Sequence, residues 1–285
     1  MRVVDFRLRP PFGAFKDLIV FSNAERSARL AREIGFEQAP SVRERSMTKL
    51  LQEMDSADVR IGVVTGRTGT VFGSVENSVI EDLVTAHPGR FVGVAYIAPH
   101  DRKAAVAEIN RAMKAGFKGV VLEPGLANPP MHLDDARLYP VYAYLEDNRI
   151  PLVFMAGGNA GPDITYSSPE HIDRIARDFP TLTIVSAHGS WPWVSEILHV
   201  CYRRPNLYLS PDMYMFGGLP GAHDYINAAN GFMANRFIFG SAYPLLPTDE
   251  AVRRFLEFPL KEEVVDRVMF ANAARVLGID ETAPA

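Results

Sequence analysis

Side chains that can move a proton or hold an anion recur at a few places in this sequence. His188 lies in the run Thr183-Ile-Val-Ser-Ala-His-Gly-Ser-Trp-Pro-Trp. An imidazole, with an ordinary pKa of about 6.5, is the natural general base or acid at neutral pH. A core histidine satisfied by a backbone carbonyl is the plainer alternative. Four carboxylates could orient or assist it: Asp5, Glu123, Asp163 and Asp212. Asp212 is the preferred partner, because Pro211 stiffens the turn before it and fixes its aim. Glu123 is expected as a second acid–base or hydrogen-bonding group. Near the start, Asp5, Arg7 and Arg9 alternate, so on an extended segment they share one face. Two guanidinium forks suit a carboxylate, which arginine holds through paired charge-assisted bonds, and they could stabilise developing negative charge. An internal ion pair with Asp5 is the alternative, although one acid cannot neutralise two bases.

A glycine-rich run, Met155-Ala-Gly-Gly-Asn-Ala-Gly-Pro-Asp-Ile-Thr-Tyr, cannot hold a helix. Its lack of bulk permits close backbone approach to a ligand, so Asn159, Asp163 and Tyr166 are expected around a substrate. Tyr214 and Tyr243, with Trp191 and Trp193, could supply flat walls.

Short apolar runs separated by amphipathic helical stretches must carry these residues. Strands are expected at Val3–Phe6, Arg60–Val64, Phe91–Ile97, Gly119–Leu122, Leu152–Met155, Leu182–Ser186, Leu207–Leu209 and Phe237–Phe239, with helical spacing between them, as in Met47, Leu50, Leu51 and Met54. Thr248, followed by Asp249 and Glu250, reads as a helix start. Eight such units predict an α/β fold, a (β/α)8 TIM barrel over residues 1–285 as one domain, with elaborated loops at its C-terminal face. Ser22–Arg45 and Met213–His223 are the longest excursions and should border the active site. An open doubly wound sheet is the alternative, but no GxGxxG follows the first strand.

Composition narrows the function. Thirty Lys+Arg against 34 Asp+Glu give a net charge of −4, which speaks against nucleic acid as a partner. No apolar run reaches a membrane span, and Arg2, Asp5, Arg7 and Arg9 stand where a secretory leader would be apolar. A cytoplasmic protein is expected. The single cysteine, Cys201, completes an apolar helical stripe with Val194, Ile197 and Leu198.

The His188 run, then Pro205-Asn-Leu-Tyr-Leu-Ser and Phe237-Ile-Phe-Gly-Ser-Ala-Tyr-Pro, resembles the second half of the amidohydrolase-2 family. That family includes aminocarboxymuconate-semialdehyde decarboxylase, γ-resorcylate decarboxylase and 2-pyrone-4,6-dicarboxylate lactonase. Val3-Val-Asp-Phe-Arg resembles its opening, and Gly116-Phe-Lys-Gly-Val-Val-Leu-Glu-Pro its fourth strand. The resemblance implies a barrel enzyme. Metal-dependent members begin with His-x-His, matched here by Arg7 and Arg9, which have no lone pair to offer. Met155 matches the fifth-strand histidine and Ala242 the eighth-strand aspartate, leaving His188 alone of the usual set.

The reading that follows is a metal-independent hydrolase of a small cyclic or unsaturated carboxylate, lactonase-like and without a cofactor. Arg7 and Arg9 bind the carboxylate, His188 activates water and Asp212 orients it. Three alternatives stay open: a decarboxylase, a divalent metal on relocated ligands (Glu123, His188 and Asp212, with His132 or Asp163), and a non-catalytic binder of small acids. A homodimer through Phe216 and the adjacent Gly-Gly-Leu-Pro is a further expectation.

Overall fold

Seven parallel strands curl around a common axis in the computed structural model, which describes residues 1–279. They are β1 (Val3–Asp5), β2 (Val59–Thr65), β5 (Phe91–Tyr96), β6 (Val120–Leu122), β7 (Leu152–Met155), β8 (Ile184–Ala187) and β9 (Leu207–Ser210), hydrogen-bonded in that order. A two-stranded antiparallel hairpin, β3 (Arg67–Thr70) with β4 (Gly73–Val75), projects from the end of β2. The last six residues of the expected 1–285 domain lie outside the described residues.

The eighth expected strand, Phe237–Phe239, is too irregular to continue the ladder, yet it closes the ring. Ile238 N–H donates to Leu209 on one side (2.9 Å), and Phe6 N–H donates to Phe239 on the other (3.1 Å). The architecture is therefore a (β/α)8 barrel.

Strand alternation explains why these runs contain so much valine. Val4, Val63, Val94, Val121, Val153, Val185 and Ile238 face inward as one cluster, capped below by Phe270, Ala273 and Leu277. Their neighbours Val3, Val64, Ala95, Val120, Leu152, Ile184 and Phe237 face outward against the helices. Period-two side chains that are apolar on both faces are what a doubly covered parallel sheet requires. Cys201 is buried in the outer layer, and burial pushes its thiol up to about 12. No helix among the described residues is long and apolar enough to cross a membrane.

The seam between first and eighth units is fastened by Asp5. Its carboxylate accepts from Ser241 N–H (2.8 Å), Ser241 Oγ (2.5 Å), Thr248 Oγ1 (2.8 Å) and Arg7 N–H (3.3 Å). This corrects two expectations. Asp5 does not share the interior face with Arg7 and Arg9 and forms no ion pair with them. Thr248 does begin a helix, Thr248–Phe255, but its hydroxyl serves Asp5 and makes no cap. Phe216 is also not available to a partner chain: it is buried against Phe36 and Phe258, with ring centroids 5.3 and 5.8 Å away.

Replacing Asp5 orphans several buried donors, each costing about 1–3 kcal/mol. Asp5→Ala should therefore destabilise the barrel by about 3 kcal/mol or more in urea unfolding, and Thr248→Val by about 1 kcal/mol. Equal effects from the two would count against Asp5 as the hub of the seam.

Candidate active site

At the C-terminal ends of the strands, a cavity of about 120 Å³ opens between the strand tips and the Ser22–Arg45 excursion. An apolar cavity of roughly 150 Å³ admits benzene, so this one suits a single ring or a short unsaturated chain. Arg7, Arg9, Arg67, Glu123, Asn159, His188 and Tyr214 all contribute to its lining.

Arg7 and Arg9 extend beyond β1 and are almost fully buried, at 6% and 5% exposure. Arg7 Nη1 stands 3.8 Å from Asp212 Oδ2, and Arg9 Nη2 stands 3.8 Å from Glu123 Oε1. Those are charge contacts, not hydrogen bonds. Arg7 Nε and Arg9 Nη2 are buried with no hydrogen-bond partner among the described residues. Burial pushes both guanidinium pKa values down, Arg9 the further because Arg67 and Arg7 repel it. Arginine nevertheless stays protonated in proteins, so the floor holds charged donors without a hydrogen bond among the described residues.

Arg67 was not among the expected residues. It stands three positions after the expected end of the second strand and opens β3, so a search continued past the strand end would have reached it. Its Nε donates to Glu123 Oε2 at 2.7 Å and its Nη2 to Glu123 Oε1, a bidentate pair. Burial pushes the Glu123 carboxyl up, but the charge and hydrogen bonds of Arg67, with Arg9 and Arg7 behind, bring it down to about 2. Glu123 is therefore a fixed anion at neutral pH and is committed to Arg67, which is the hydrogen-bonding role expected from sequence and not the acid–base one.

His188 follows β8 directly, and its Nδ1 lies 2.9 Å from Asp212 Oδ2 and 3.1 Å from Oδ1. Nε2 makes no hydrogen bond among the described residues, which leaves it to the cavity. Burial, then Arg7, pushes the imidazole pKa below 6.5, while Asp212 opposes them. Asp212 is almost fully buried and also accepts from Met213 N–H at 2.6 Å. Both residues have left-handed backbone, φ 66° and 46°, a conformation that costs non-glycine residues energy and concentrates at functional sites. Gly157 makes room for this dyad: a Cβ there would lie 2.6 Å from His188 Cβ. Tyr214 meets His188 edge-on at 5.6 Å and stacks on Trp191 at 5.1 Å.

Three expected substrate contacts are elsewhere. Tyr243 is buried beneath the site, with its hydroxyl 2.8 Å from Ser41 Oγ. Asp163 is exposed and accepts from Thr165 N–H (2.9 Å), closing its own turn. Tyr166 stacks on His132 at 4.3 Å, beside the cavity and not in it.

The residues present do not fit a divalent cation. Among the described residues, no three His, Cys, Asp or Glu side chains are placed so that together they could hold a metal ion. Glu123 and Asp212 already face guanidiniums. Met155, the other lining residue considered for a ligand position, offers only a soft thioether. The relocated set does not converge either, since His132 lies between Tyr166 and His171.

Barrel and strand-tip site together define an enzyme-like (β/α)8 architecture, and comparison gives the family. The chain belongs to the amidohydrolase family, whose model matches residues 15–279. The match begins at Phe15, beyond Arg7 and Arg9. An uncharacterized TIM-barrel protein of Bordetella bronchiseptica is 48% identical, covering 98% of this chain and 99% of its own, with a TM-score of 0.95. A dihydroxybenzoic acid decarboxylase of Polaromonas, solved with manganese and 2-nitroresorcinol, is 15% identical (98% and 97% covered, TM-score 0.73). An Acinetobacter baumannii protein named as a probable 2-pyrone-4,6-dicarboxylic acid hydrolase, with citric acid bound, is 13% identical (98% and 100% covered, TM-score 0.65). No curated protein is similar enough in sequence to match.

Breaking a buried ion pair costs about 3–5 kcal/mol, so Glu123→Gln should lower unfolding stability by that order at pH 7. The pH dependence has a definite sign. A carboxyl held at about 2 in the fold, against 4.5 ordinarily, stabilises above pH 4.5 and loses that contribution as pH falls toward 2. The gap between the natural protein and Glu123→Gln should therefore narrow over that range; a gap independent of pH would refute the assignment.

Proposed function

We propose that this protein is a metal-independent hydrolase of small cyclic or unsaturated carboxylates, with lactones as the leading substrate class. The observation that carries this reading is the pair of buried guanidiniums with unpartnered donors, set beside a histidine–aspartate dyad. Arg9 is the carboxylate anchor, since it lines the cavity floor and Arg67 already satisfies Glu123. Arg7, next to Asp212 and His188, faces the reacting carbonyl.

The steps follow from those positions. His188 Nε2 takes a proton from water as the oxygen adds to the lactone carbonyl. The guanidinium of Arg7 offsets the charge on the tetrahedral oxyanion. Collapse breaks the ring C–O bond, and the imidazolium returns the proton to the departing oxygen. The product is the ring-opened acid. Asp212 fixes the Nδ1–H tautomer and stabilises the imidazolium, as in other histidine–carboxylate pairs.

A second reading, decarboxylation, is favoured by the several decarboxylases among the structural neighbours. It would require His188 to deliver a proton to carbon. The depressed pKa of His188 favours the neutral base, which ranks hydrolysis first. A binder without turnover would show thermal shifts with small acids and no product.

Assays should give the ring-opened acid from small lactone carboxylates and release no CO₂ from aromatic acids. General-base catalysis contributes about 10²–10⁴-fold, so His188→Asn should cut kcat/KM by that order with folding intact. Arg9→Met should act mainly on KM. CO₂ as the product would overturn the ranking.

The pH profile gives a separate check. With the His188 pKa lowered from 6.5, the base stays active to a lower pH than an ordinary imidazole. The acid limb of kcat/KM should therefore fall below pH 6.5, and a limb above 7 would argue against a neutral His188 base.

A further inference from the structure

The cavity has a second positive pole that the steps above do not use. The helix Ala24–Glu33 lies across the mouth, capped by Asn23, whose side chain accepts from Arg26 N–H at 3.0 Å. Arg26, Ser27 and Leu30 of that helix reach the cavity lining. Ser27 is held in place, donating to Val20 O at 2.7 Å. The Arg26 guanidinium, by contrast, has no hydrogen-bond or ion-pair partner among the described residues, and it is only half-buried. The lining also includes the apolar side chains Leu18, Ile19, Val20, Leu30 and Phe72.

A ligand with one carboxylate would satisfy the floor and leave its other end against hydrocarbon and an unpaired cation. A ligand with a carboxylate at each end and an apolar body between would satisfy both poles. We propose that Arg26 is a specificity-determining residue that selects small dicarboxylates by holding the carboxylate remote from His188. This deepens the proposed function and rests on the floor guanidiniums holding the first carboxylate. Because Arg26 reaches in from a helix and not from a strand tip, it acts on binding and leaves the reacting carbonyl alone.

The test uses two acids with one carbon skeleton, trans,trans-muconate and sorbate, which differ by a carboxylate in place of a methyl group. Calorimetric titration of the full chain should show muconate binding about tenfold tighter than sorbate, in keeping with a charge-assisted pair at a partly solvated site. Arg26→Gln should remove that advantage while leaving sorbate affinity within about twofold, and Arg26→Lys should restore part of it. Arg9→Met should weaken both acids together. If Arg26→Gln weakens both equally, or neither, Arg26 is not the selector, even where Arg9→Met shows the floor reading to be sound. If Arg9→Met leaves sorbate binding unchanged, the floor reading fails and this inference with it. Absence of binding by either acid to the natural protein would overturn both.

Discussion

A buried excess of positive charge governs the mouth of this barrel. Three guanidiniums, Arg7, Arg9 and Arg67, face two carboxylates, Glu123 and Asp212, in a region with little solvent. Only one of the possible pairs, Arg67 with Glu123, is a full bidentate contact. Burying an unpaired charge is expensive and is tolerated only where something offsets it. In the free protein the offset is partial, through charge contacts at 3.8 Å. An anionic ligand would complete it, so the protein's own electrostatic cost becomes a source of affinity.

The scaffold can bear this cost because it is rigid where the charges sit. Arg7 and Arg9 follow a strand whose backbone is tied to its neighbours: Leu8 N–H donates to Val63 and Arg9 N–H to Tyr243. Asp5 clamps the same strand to the closing segment. On the other side, left-handed residues follow each of the last three strands, His188, Asp212 and Ala242. Such turns redirect the chain sharply at the strand tip, which is how His188 and Asp212 come to meet across two different loops. The glycine at 157 is part of the same fit, since any larger residue would displace the histidine.

Much of this architecture was legible in the sequence because the barrel signal is repetitive. Eight apolar runs with amphipathic stretches between them admit few folds, and His188, Asp212, Arg7 and Arg9 stand at strand ends, where a barrel gathers its side chains. The failures share a cause: sequence gives a residue's position along the chain but not what else competes for its polar atoms. Thr248 has the type and context of a helix cap, yet Asp5 claims its hydroxyl. Glu123 ends a strand as a catalytic acid would, yet Arg67, 56 residues earlier, holds it ionised. Tyr243 follows the closing segment, but Ser41 of the long excursion takes its hydroxyl. Asp163 and Tyr166 share a glycine-rich loop with Asn159, and only Asn159 reaches the cavity. Asp163 is claimed by its own turn at Thr165, and the others were decided by a partner far away in sequence.

In the proposed reading, guanidiniums do the work that a cation would do in a site of this shape. A divalent ion polarises a carbonyl and generates hydroxide from bound water in one place. Guanidiniums spread their charge over a plane and bind oxygen only along fixed N–H directions. They can receive an oxyanion but cannot lower the pKa of a water bound to them as a metal does. In the proposed hydrolysis the proton goes to a separate base, and His188 is the cavity-lining group whose depressed pKa leaves it free to accept one. The arginines keep their charge over any pH at which the fold survives, whereas the histidine does not. On that reading anion capture and proton transfer fall to different residues with different pH responses, and the pH sensitivity of turnover lies with His188.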